Sequence, residues 1–258
     1  MTYQHIEYER ADGLALIRIN RPDKRNAISH ATLDELQDAV NQAARDPEAV
    51  VIAFTGAGEQ AFCAGFDLNE VLDRDLRLAL EPIIQGLADQ LERTPKPTIA
   101  AINGICFGGG LEVALGCDLR VATPNARFAT PEGRVGIIPG GGATARLPRI
   151  VGRAWGMEML LMGEVVDAER ALDIGLITRL VPAEKLMEEV RAMTSHLASY
   201  APMVPRTMKA MVHHGMEASL SSALILEKYA QGALVQTSDK REGISAFLEK
   251  RSPKFTGK

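Results

Sequence analysis

Short apolar segments alternate with helical patterns along the first part of the chain, and this alternation restricts the fold more than any other feature. Residues 31–46 place apolar side chains at helical spacing. The apolar runs Val50–Thr55 and Thr98–Ile102 have the length of strands and lead into glycine-containing loops. Beyond residue 142 the pattern is mainly helical. Strands and helices in alternation, followed by helices alone, predict an α/β domain with a C-terminal helical appendage.

Turn and breaker residues define further local elements. The segments His5–Arg10 and Leu14–Asn20 are short, partly alternating and joined by an Asp-Gly pair, which predicts a β-hairpin. A helix is predicted over Glu70–Arg93, with a bend at Pro82. The segment Asn103–Gly110 is predicted to be a loop that leads into a helix ending near Gly116.

Composition and charge narrow the class of protein. The chain has 258 residues, of which 46% are hydrophobic, and 29 basic against 33 acidic residues give a net charge of −4. This composition is that of a globular protein, and the charge argues against a dedicated nucleic-acid binder. The N-terminal sequence lacks a basic region followed by an apolar one, so we expect no signal peptide and a cytoplasmic location.

Two features of the sequence resemble a membrane-spanning segment and a disulfide or zinc site, but neither feature fits. The apolar stretch Thr98–Cys117 contains Glu112 and five glycines, so it is not predicted to span a membrane. The three cysteines, Cys63, Cys106 and Cys117, lack paired spacing. They therefore indicate neither a disulfide framework nor a zinc site, and no metal is expected.

Two glycine-rich loops follow predicted strands and are candidates for ligand binding. They are Phe62–Leu68 and Asn103–Glu112, and the second opens a helix. Glycine allows the backbone to approach a ligand closely, so two such loops can direct peptide N–H groups at one atom. The alternative is a pair of tight turns that only pack against each other.

Glu112 and Glu132 are candidate catalytic residues. Glu112 lies in the first turn of an otherwise apolar helix, and Glu132 follows Pro131 in a loop beyond a short strand. Two carboxylates that share one cleft repel each other, and burial adds to the effect, so one of them can stay protonated and act as an acid beside a base. The alternative is a helix-capping carboxylate and an exposed loop glutamate.

Four ordered motifs resemble those of the enoyl-CoA hydratase/isomerase (crotonase) family. They are AFCAGFDL, AAINGICFGGGLEVALGCDLRVA, ARFATPEGRVGIIPGGG with ARLPRIVG, and FLEKRSPKF. The match runs in the family order from about residue 10 to the C-terminus. It implies a spiral of ββα units over residues 1–200. Residues 201–258 are then a helical region that packs into homotrimers or dimers of trimers and covers the active site.

The resemblance also implies site residues. The peptide N–H groups of Phe66 and Gly109 are expected to hold the thioester oxygen of an acyl-CoA. Further contacts to the coenzyme A part are expected from residues of three segments: Ala64, Asp67 and Leu68; Lys24 or Arg25; and Lys254 with Phe255 from a neighbouring subunit. Coenzyme A is here part of the substrate, and no separate cofactor or metal is implied.

By the same resemblance, the two glutamates favour a hydratase. Glu112 would deprotonate a water for attack at Cβ of a 2-enoyl-CoA, and Glu132 would protonate Cα on the same face. The product would be a 3-hydroxyacyl-CoA. Two alternatives stay open: a specialised member, either an isomerase or a hydratase for a cyclic, aromatic or carnitine-derived acyl group, and a non-catalytic acyl-CoA- or RNA-binding member.

Three positions depart from the family pattern. Phe66 stands where a small alanine is common, Gly133 replaces a branched aliphatic residue, and Gly142–Ala145 differs from the usual Gly-Gly-Thr-Gln stretch. The expected contact of residue 66 uses its backbone, so the phenylalanine side chain is not expected to remove it. The three departures therefore bear on the identity of the acyl group and not on the predicted chemistry.

Overall fold

A β-hairpin forms one edge of the larger of two sheets. The computed structural model describes residues 3–72 and 74–258. The strands are β1 (Ile6–Ala11), β2 (Leu14–Ile19), β3 (Val51–Gly56), β4 (Ala61–Cys63), β5 (Thr98–Ile102), β6 (Ile105–Phe107), β7 (Leu119–Ala122), β8 (Arg127–Ala129), β9 (Val166–Asp167) and β10 (Arg179–Leu180). The larger sheet has the order β1-β2-β3-β5-β7-β10 and is parallel except for the β1–β2 pair. The predicted hairpin is therefore confirmed.

Helices cover the sheets and extend beyond them. They are α1 (His30–Arg45), α2 (Leu68–Leu72), α3 (Leu76–Ala79), α4 (Ile83–Arg93), α5 (Gly109–Gly116), α6 (Ala143–Met162), α7 (Ala168–Asp173), α8 (Leu186–Ala198), α9 (Met203–Glu217), α10 (Leu220–Val235) and α11 (Ser238–Leu248). The α6 helix is interrupted at Gly152, whose φ of 78° lies outside the helical region.

Among the residues that the structure describes, a ββα unit occurs three times. In each unit the first strand lies in the larger sheet, the second lies in the smaller sheet β4-β6-β8-β9, and one or more helices follow. The units begin at β3, β5 and β7. The strands β4, β6 and β8 pair in parallel, so each unit advances by one strand position in both sheets. This arrangement is the predicted spiral of ββα units.

Both faces of the larger sheet are buried, which explains the continuous apolar runs of its central strands. Along β3, Ile52 and Phe54 lie in a core with α1, α4 and α5. The alternate residues of β3, Val51 and Ala53, lie in a second cluster with Val190 of α8. The sheet thus carries two separate cores, and its strands cannot shift register by one residue without exchanging them.

The prediction of one bent helix over Glu70–Arg93 is wrong. Within the described residues this segment forms three helices, α2, α3 and α4, and Asp73 lies outside the described residues. The carboxylate of Asp75 accepts a hydrogen bond from the Leu78 N–H at 2.8 Å and starts α3 as its N-cap. Pro82 precedes α4 and cannot donate a hydrogen bond to a preceding turn.

The predicted loop Asn103–Gly110 is also partly wrong, because it contains the strand β6. β6 is three residues long and pairs on both sides with the equally short β4 and β8. A three-residue strand carries no recognisable hydrophobic period, so its neighbours in the sheet define it.

The helices α9 and α10 expose an apolar surface. Side chains of these two helices that are at least about half exposed are Met208, Val212, Met216, Leu220, Leu224, Ile225 and Tyr229. Neither helix has a fully buried residue. We call this set the α9–α10 surface. Across the described ranges, no helix combines the length and the apolar character needed to cross a membrane.

Candidate active site

The two predicted glycine-rich loops and the segment after β8 surround one cavity of about 830 Å³. The loop after β4 contributes Ala64, Gly65 and Phe66, and the first turn of α5 contributes Gly108, Gly109 and Glu112. The third side consists of Pro131, Glu132 and residues 137–141. The structure thus brings together segments that lie far apart in the sequence.

The peptide N–H groups of Phe66 and Gly109 lie close together at the wall of this cavity. A Cβ atom built on Gly109 would lie 3.3 Å from the nitrogen of Phe66. Gly109 is the first residue of α5, where a helix leaves its N–H groups without an intrahelical partner. The backbone on either side of Phe66 forms a bridge to Ile28 through the carbonyl of Gly65 and the N–H of Asp67. The N–H of Phe66 itself takes no part in this bridge.

The backbone between the two loops requires glycine. Gly65 and Gly108 have φ angles of 118° and 50°, which most side chains avoid. A Cβ on Gly108 would also lie 3.0 Å from an oxygen of Glu132. The carboxylate of Glu132 therefore lies directly beside the turn that begins α5.

Glu112 is buried, and one of its carboxylate oxygens is held by two peptide groups. The N–H groups of Gly141 and Ala143 donate to Oε1 of Glu112 at 2.7 and 3.1 Å. Burial raises the pKa of the Glu112 carboxyl, and these hydrogen bonds with the charge of Arg146 partly oppose that rise. Oε1 is occupied by the loop, so Oε2 is the oxygen available for chemistry.

Arg146 fixes the loop that holds Glu112. Its Nη1 donates to the carbonyl of Gly141 at 3.1 Å, and its Nε and Nη2 form two hydrogen bonds to the carboxylate of Glu92 at 2.7 and 2.9 Å. Asp89 of α4 contacts the same guanidinium. A two-point pair of this kind sets both distance and direction, so the position of the Gly141 N–H depends on α4 and α6 together.

Glu132 is surrounded differently from Glu112. Its Oε2 is buried and has no hydrogen-bond partner within the described residues. Burial raises the pKa of Glu132 to about 7, and the charge of Glu112 adds to the rise. At neutral pH a large fraction of this side chain therefore carries a proton that it can donate.

Not all predicted site residues line the cavity. Ala64, Phe66 and Leu68 do, along with Gly109 and the two glutamates. Asp67 is paired instead with Arg21 at 3.3 Å. The remaining predicted contacts, Lys24, Arg25, Lys254 and Phe255, are not among the residues that surround the cavity.

Phe66 directs its ring toward another aromatic side chain. The ring of Phe66 meets that of His30 edge to face, with 5.1 Å between the ring centres. The side chain is half-buried and also packs against the larger core. Its ring therefore forms part of the wall near α1, and its N–H faces the region of Gly109.

Sequence reasoning missed three residues of this site. Arg74 and Arg134 line the cavity, and Arg146 supports Glu112 from outside it. Arg146 lies in the motif ARLPRIVG, which carries the family resemblance, so that motif was an available signal. Arg74 lies between two short helices in a segment without periodicity, and nothing in the local pattern singles it out.

Two sheets wound as ββα units, with paired peptide donors and two carboxylates at one cavity, define an α/β enzyme of the crotonase fold. The sequence model described as "Enoyl-CoA hydratase/isomerase" matches residues 9–258. The chain belongs to the enoyl-CoA hydratase/isomerase family, and the predicted family and fold are confirmed.

Named relatives and solved structures are similar to this chain over its full length. It is 38% identical over 260 residues to crotonyl-CoA hydratase of Syntrophomonas wolfei subsp. wolfei, covering 100% of each. It is 35% identical to short-chain-enoyl-CoA hydratase of Clostridium acetobutylicum, covering 97% of each. The crystal structure of enoyl-CoA hydratase from Bacillus anthracis superimposes with a TM-score of 0.94 at 36% identity, covering 99% of this chain and 100% of that one.

Proposed function

We propose that this protein is an enoyl-CoA hydratase that adds water to a 2-enoyl-CoA and forms a 3-hydroxyacyl-CoA. The hydratase relatives support the class of activity. The observation that carries the proposal is the pair Glu112 and Glu132 at one cavity, beside the peptide groups of Phe66 and Gly109. An isomerase needs to move only one proton, whereas adding water requires one group to accept a proton and another to donate one.

In the proposed reaction the two peptide N–H groups bind the thioester carbonyl oxygen. Attack at Cβ moves an electron pair toward that oxygen and forms an enolate. The donors of Phe66 and Gly109 then stabilise the charge where it develops, an effect of about 3–4 kcal/mol per donor in other enzymes. The N-terminus of α5 adds positive potential at the same place.

The two glutamates have the environments that their proposed roles need. Oε2 of Glu112 accepts a proton from water while the water oxygen bonds to Cβ. Glu132, whose pKa is about 7, delivers its proton to Cα as the enolate collapses. The proton on Glu112 is returned to Glu132 through solvent, so each turnover consumes one water and leaves both side chains unchanged. We propose that the two carboxylates act on the same face of the double bond, so that the addition is syn.

The coenzyme A contacts are proposed from the resemblance. Ala64 and Leu68 line the cavity and support this placement. Asp67 follows Phe66 in the same loop, and its carboxylate is paired with Arg21. We propose that Lys24 or Arg25, and the Lys254 and Phe255 of a neighbouring subunit, bind the parts of coenzyme A that extend beyond the cavity.

We further propose that the protein is a homotrimer or a dimer of trimers. The support is the α9–α10 surface, which is too large an apolar area to face water without cost. The boundary between a core at residues 1–200 and a helical region at 201–258 stays a prediction, as does the cytoplasmic location.

Hydration of crotonyl-CoA, followed as the loss of absorbance of the conjugated thioester, tests the proposed function. We expect Glu112→Gln and Glu132→Gln each to lower kcat by about 10²- to 10⁴-fold, because each removes one proton transfer. Glu164→Gln, which changes an exposed glutamate outside the cavity, is the matched control.

Two results would contradict the proposal. Migration of the double bond without hydration across a panel of enoyl-CoA thioesters would indicate an isomerase. Binding of these thioesters without any turnover would indicate a non-catalytic acyl-CoA-binding protein.

A further inference from the structure

A second cavity, of about 640 Å³, lies between α4, α6 and α9. The residues that line this second cavity belong to the ranges 85–95, 142–149 and 206–217. None of them lines the cavity of the candidate active site. Tyr3, Leu72 and Arg74, which flank the positions outside the described residues, do not line the second cavity either. The second cavity is therefore a space that the proposed chemistry does not use.

Cationic side chains outnumber acidic ones around the second cavity. Five arginines and lysines line it, against three aspartates and glutamates. Two of the three acidic side chains, Asp89 and Glu92, are paired with Arg146. Lys209 is paired with Asp118, which lies outside the lining. Three arginines of the cavity remain once these pairs are set aside.

The three remaining arginines come from three different helices. Arg93 is the last residue of α4, Arg149 lies in α6, and Arg206 lies in α9. All three are exposed. None of them has a carboxylate within ion-pair distance among the described residues, the third acidic residue of the lining, Glu217, included. Three like charges around one cavity repel each other, so an anion between them is favoured.

Thr94 gives a second, independent indication that this cavity takes a ligand. Its residue is only 6% exposed and belongs to the lining of the second cavity. Its N–H donates to the carbonyl of Gln90 at 2.9 Å, but its Oγ1 is buried and has no hydrogen-bond partner among the described residues. A buried hydroxyl without a partner is unfavourable, and an oxygen of a ligand satisfies it.

The number of donors favours a phosphate over a carboxylate as the ligand group. A carboxylate has only two oxygens, whereas three guanidinium groups and one hydroxyl offer more hydrogen bonds than it can accept. A phosphate presents more oxygens, and guanidinium groups bind it with two parallel hydrogen bonds. Because the three arginines are exposed, a phosphate between them also keeps part of its hydration.

We propose that the second cavity binds the phosphate groups of a small phosphorylated compound. Arg93, Arg149 and Arg206 are the cationic contacts, and the hydroxyl of Thr94 is a further donor. This inference goes beyond the proposed function, because the second cavity takes part in no step of the hydration. Two sources share this chemistry, a free phosphorylated compound and the nucleotide part of coenzyme A, and the experiment distinguishes them.

Calorimetric titration of the full-length protein with inorganic pyrophosphate tests the proposal. We expect binding with a dissociation constant below about 1 mM. Arg149→Met and Arg206→Met are each expected to weaken it by about 10- to 100-fold, because each removes charge-assisted hydrogen bonds. Arg153→Met changes an exposed arginine of α6 outside the lining, and as the matched control it is expected to leave the affinity unchanged.

Thr94→Val distinguishes a ligand contact from a structural role, because valine keeps the shape of threonine and removes the hydroxyl. The hydroxyl has no partner among the described residues, so we expect the melting temperature of the unliganded variant to be unchanged or higher. The affinity for pyrophosphate is expected to fall by about 3- to 10-fold, the effect of one hydrogen bond. A lower melting temperature with unchanged affinity would overturn the role of Thr94 as a ligand contact.

Three results overturn the proposal as a whole. The first is the absence of binding, and the second is an equal loss of affinity in Arg149→Met and Arg153→Met, which indicates unspecific attraction to positive charge. The third is binding that survives both cavity substitutions and is abolished by saturating coenzyme A, which places pyrophosphate at the candidate active site. None of these results depends on the hydration of crotonyl-CoA, so the proposed function is tested separately.

Titration with adenosine 3′,5′-bisphosphate identifies the source of the phosphate groups. Binding that is tighter than that of pyrophosphate and is weakened by Arg149→Met supports the proposal with the nucleotide part of coenzyme A as the ligand. Weaker binding than that of pyrophosphate supports it with a free phosphorylated compound as the ligand.

Discussion

Glu112 and Glu132 show how the protein places the same functional group in two different environments. Glu112 is fixed by two peptide groups, and the charge of Arg146 favours its ionised form. Glu132 has a buried oxygen without a partner and a pKa of about 7. The difference follows from the hydrogen bonds that each carboxylate receives, because both are affected by burial.

Gly141 holds Glu112 in place only because it has no side chain. A Cβ at this position would lie 2.5 Å from Oε2 of Glu112 and 2.5 Å from Cγ2 of Ile84, so Gly141→Ala must displace the carboxylate. We expect kcat to fall by about 100-fold, as for a displacement of about 1 Å in other active sites. Gly140→Ala is the control, because no atom lies within 4 Å of the added Cβ. Equal rates in the two variants would contradict this placement of Glu112.

The raised pKa of Glu132 predicts a pH-dependent cost in stability. Folding favours the protonated form of Glu132. Its stabilising contribution to the free energy of unfolding is therefore fully present below the ordinary pKa of 4.5 and is lost as the pH rises through about 7. Glu132→Gln removes this ionisation. We therefore expect the stability of the variant relative to wild type to increase by about 1–2 kcal/mol between about pH 5 and about pH 8, after allowing for partial solvent exposure.

Chemical denaturation of both proteins at the two pH values measures this difference. A constant difference in the free energy of unfolding would show that Glu132 titrates alike in the folded and unfolded chains.

At the scale of elements, a buried ion pair attaches α9 to Asp118, the residue directly before β7. Nζ of Lys209 lies 2.8 Å from Oδ2 of Asp118, and Nε2 of His213 lies 3.3 Å from Oδ1. Burial acts to raise the pKa of Asp118, but the contacts with His213 and Lys209 hold it below its ordinary value. Lys209 also donates to the carbonyls of Leu91 and Lys96. One side chain thus joins α9, the end of α4 and the segment before β5.

Removing this lysine is expected to destabilise the attachment of α9. Lys209→Met leaves Asp118 as a poorly compensated charge in a largely buried site, and we expect a loss of about 3 kcal/mol in the free energy of unfolding. Lys240→Met, at an exposed position of α11, is expected to change it by less than about 0.5 kcal/mol. Thermal or denaturant unfolding measures both. A similar small effect of the two substitutions would contradict the role assigned to Lys209.

At the scale of the whole molecule, the α9–α10 surface predicts that the isolated chain is incomplete. Tyr229 is 77% exposed and Leu220 is 76% exposed, although both lie on regular helices with apolar neighbours. Apolar residues in such number on one surface mark an interaction site. The proposed trimer covers this surface with a second copy of the chain.

Charges on this surface are expected to dissociate the oligomer. In Leu220→Asp/Tyr229→Asp, two carboxylates would enter an apolar interface, where an unpaired charge is costly. Sedimentation velocity is expected to give three or six copies for the wild type and single chains for the variant at micromolar concentration. Wild-type single chains, or a variant that assembles normally, would overturn the proposed use of this surface.

Local signals in the sequence were sufficient to predict many elements and to single out the two glutamates as candidates. The Asp-Gly turn defined the hairpin, the helical spacing defined α1, and the apolar runs defined β3 and β5. Glu112 was identified because a carboxylate in an apolar helix needs an explanation. These features depend on residues a few positions apart, so the sequence expresses them directly.

The sequence by itself determined the α/β class, the helical character of the part beyond residue 142 and, through its motifs, the family. Only the tertiary structure decided the short strands β4 and β6, the break before α3 and the positions of Arg74 and Arg146. The physical reason is the distance along the chain between the residues that interact. Three-residue strands exist only through pairing with neighbours, and a guanidinium acquires a role only from the groups that packing brings to it. Because those groups are distant along the chain, no local pattern records them.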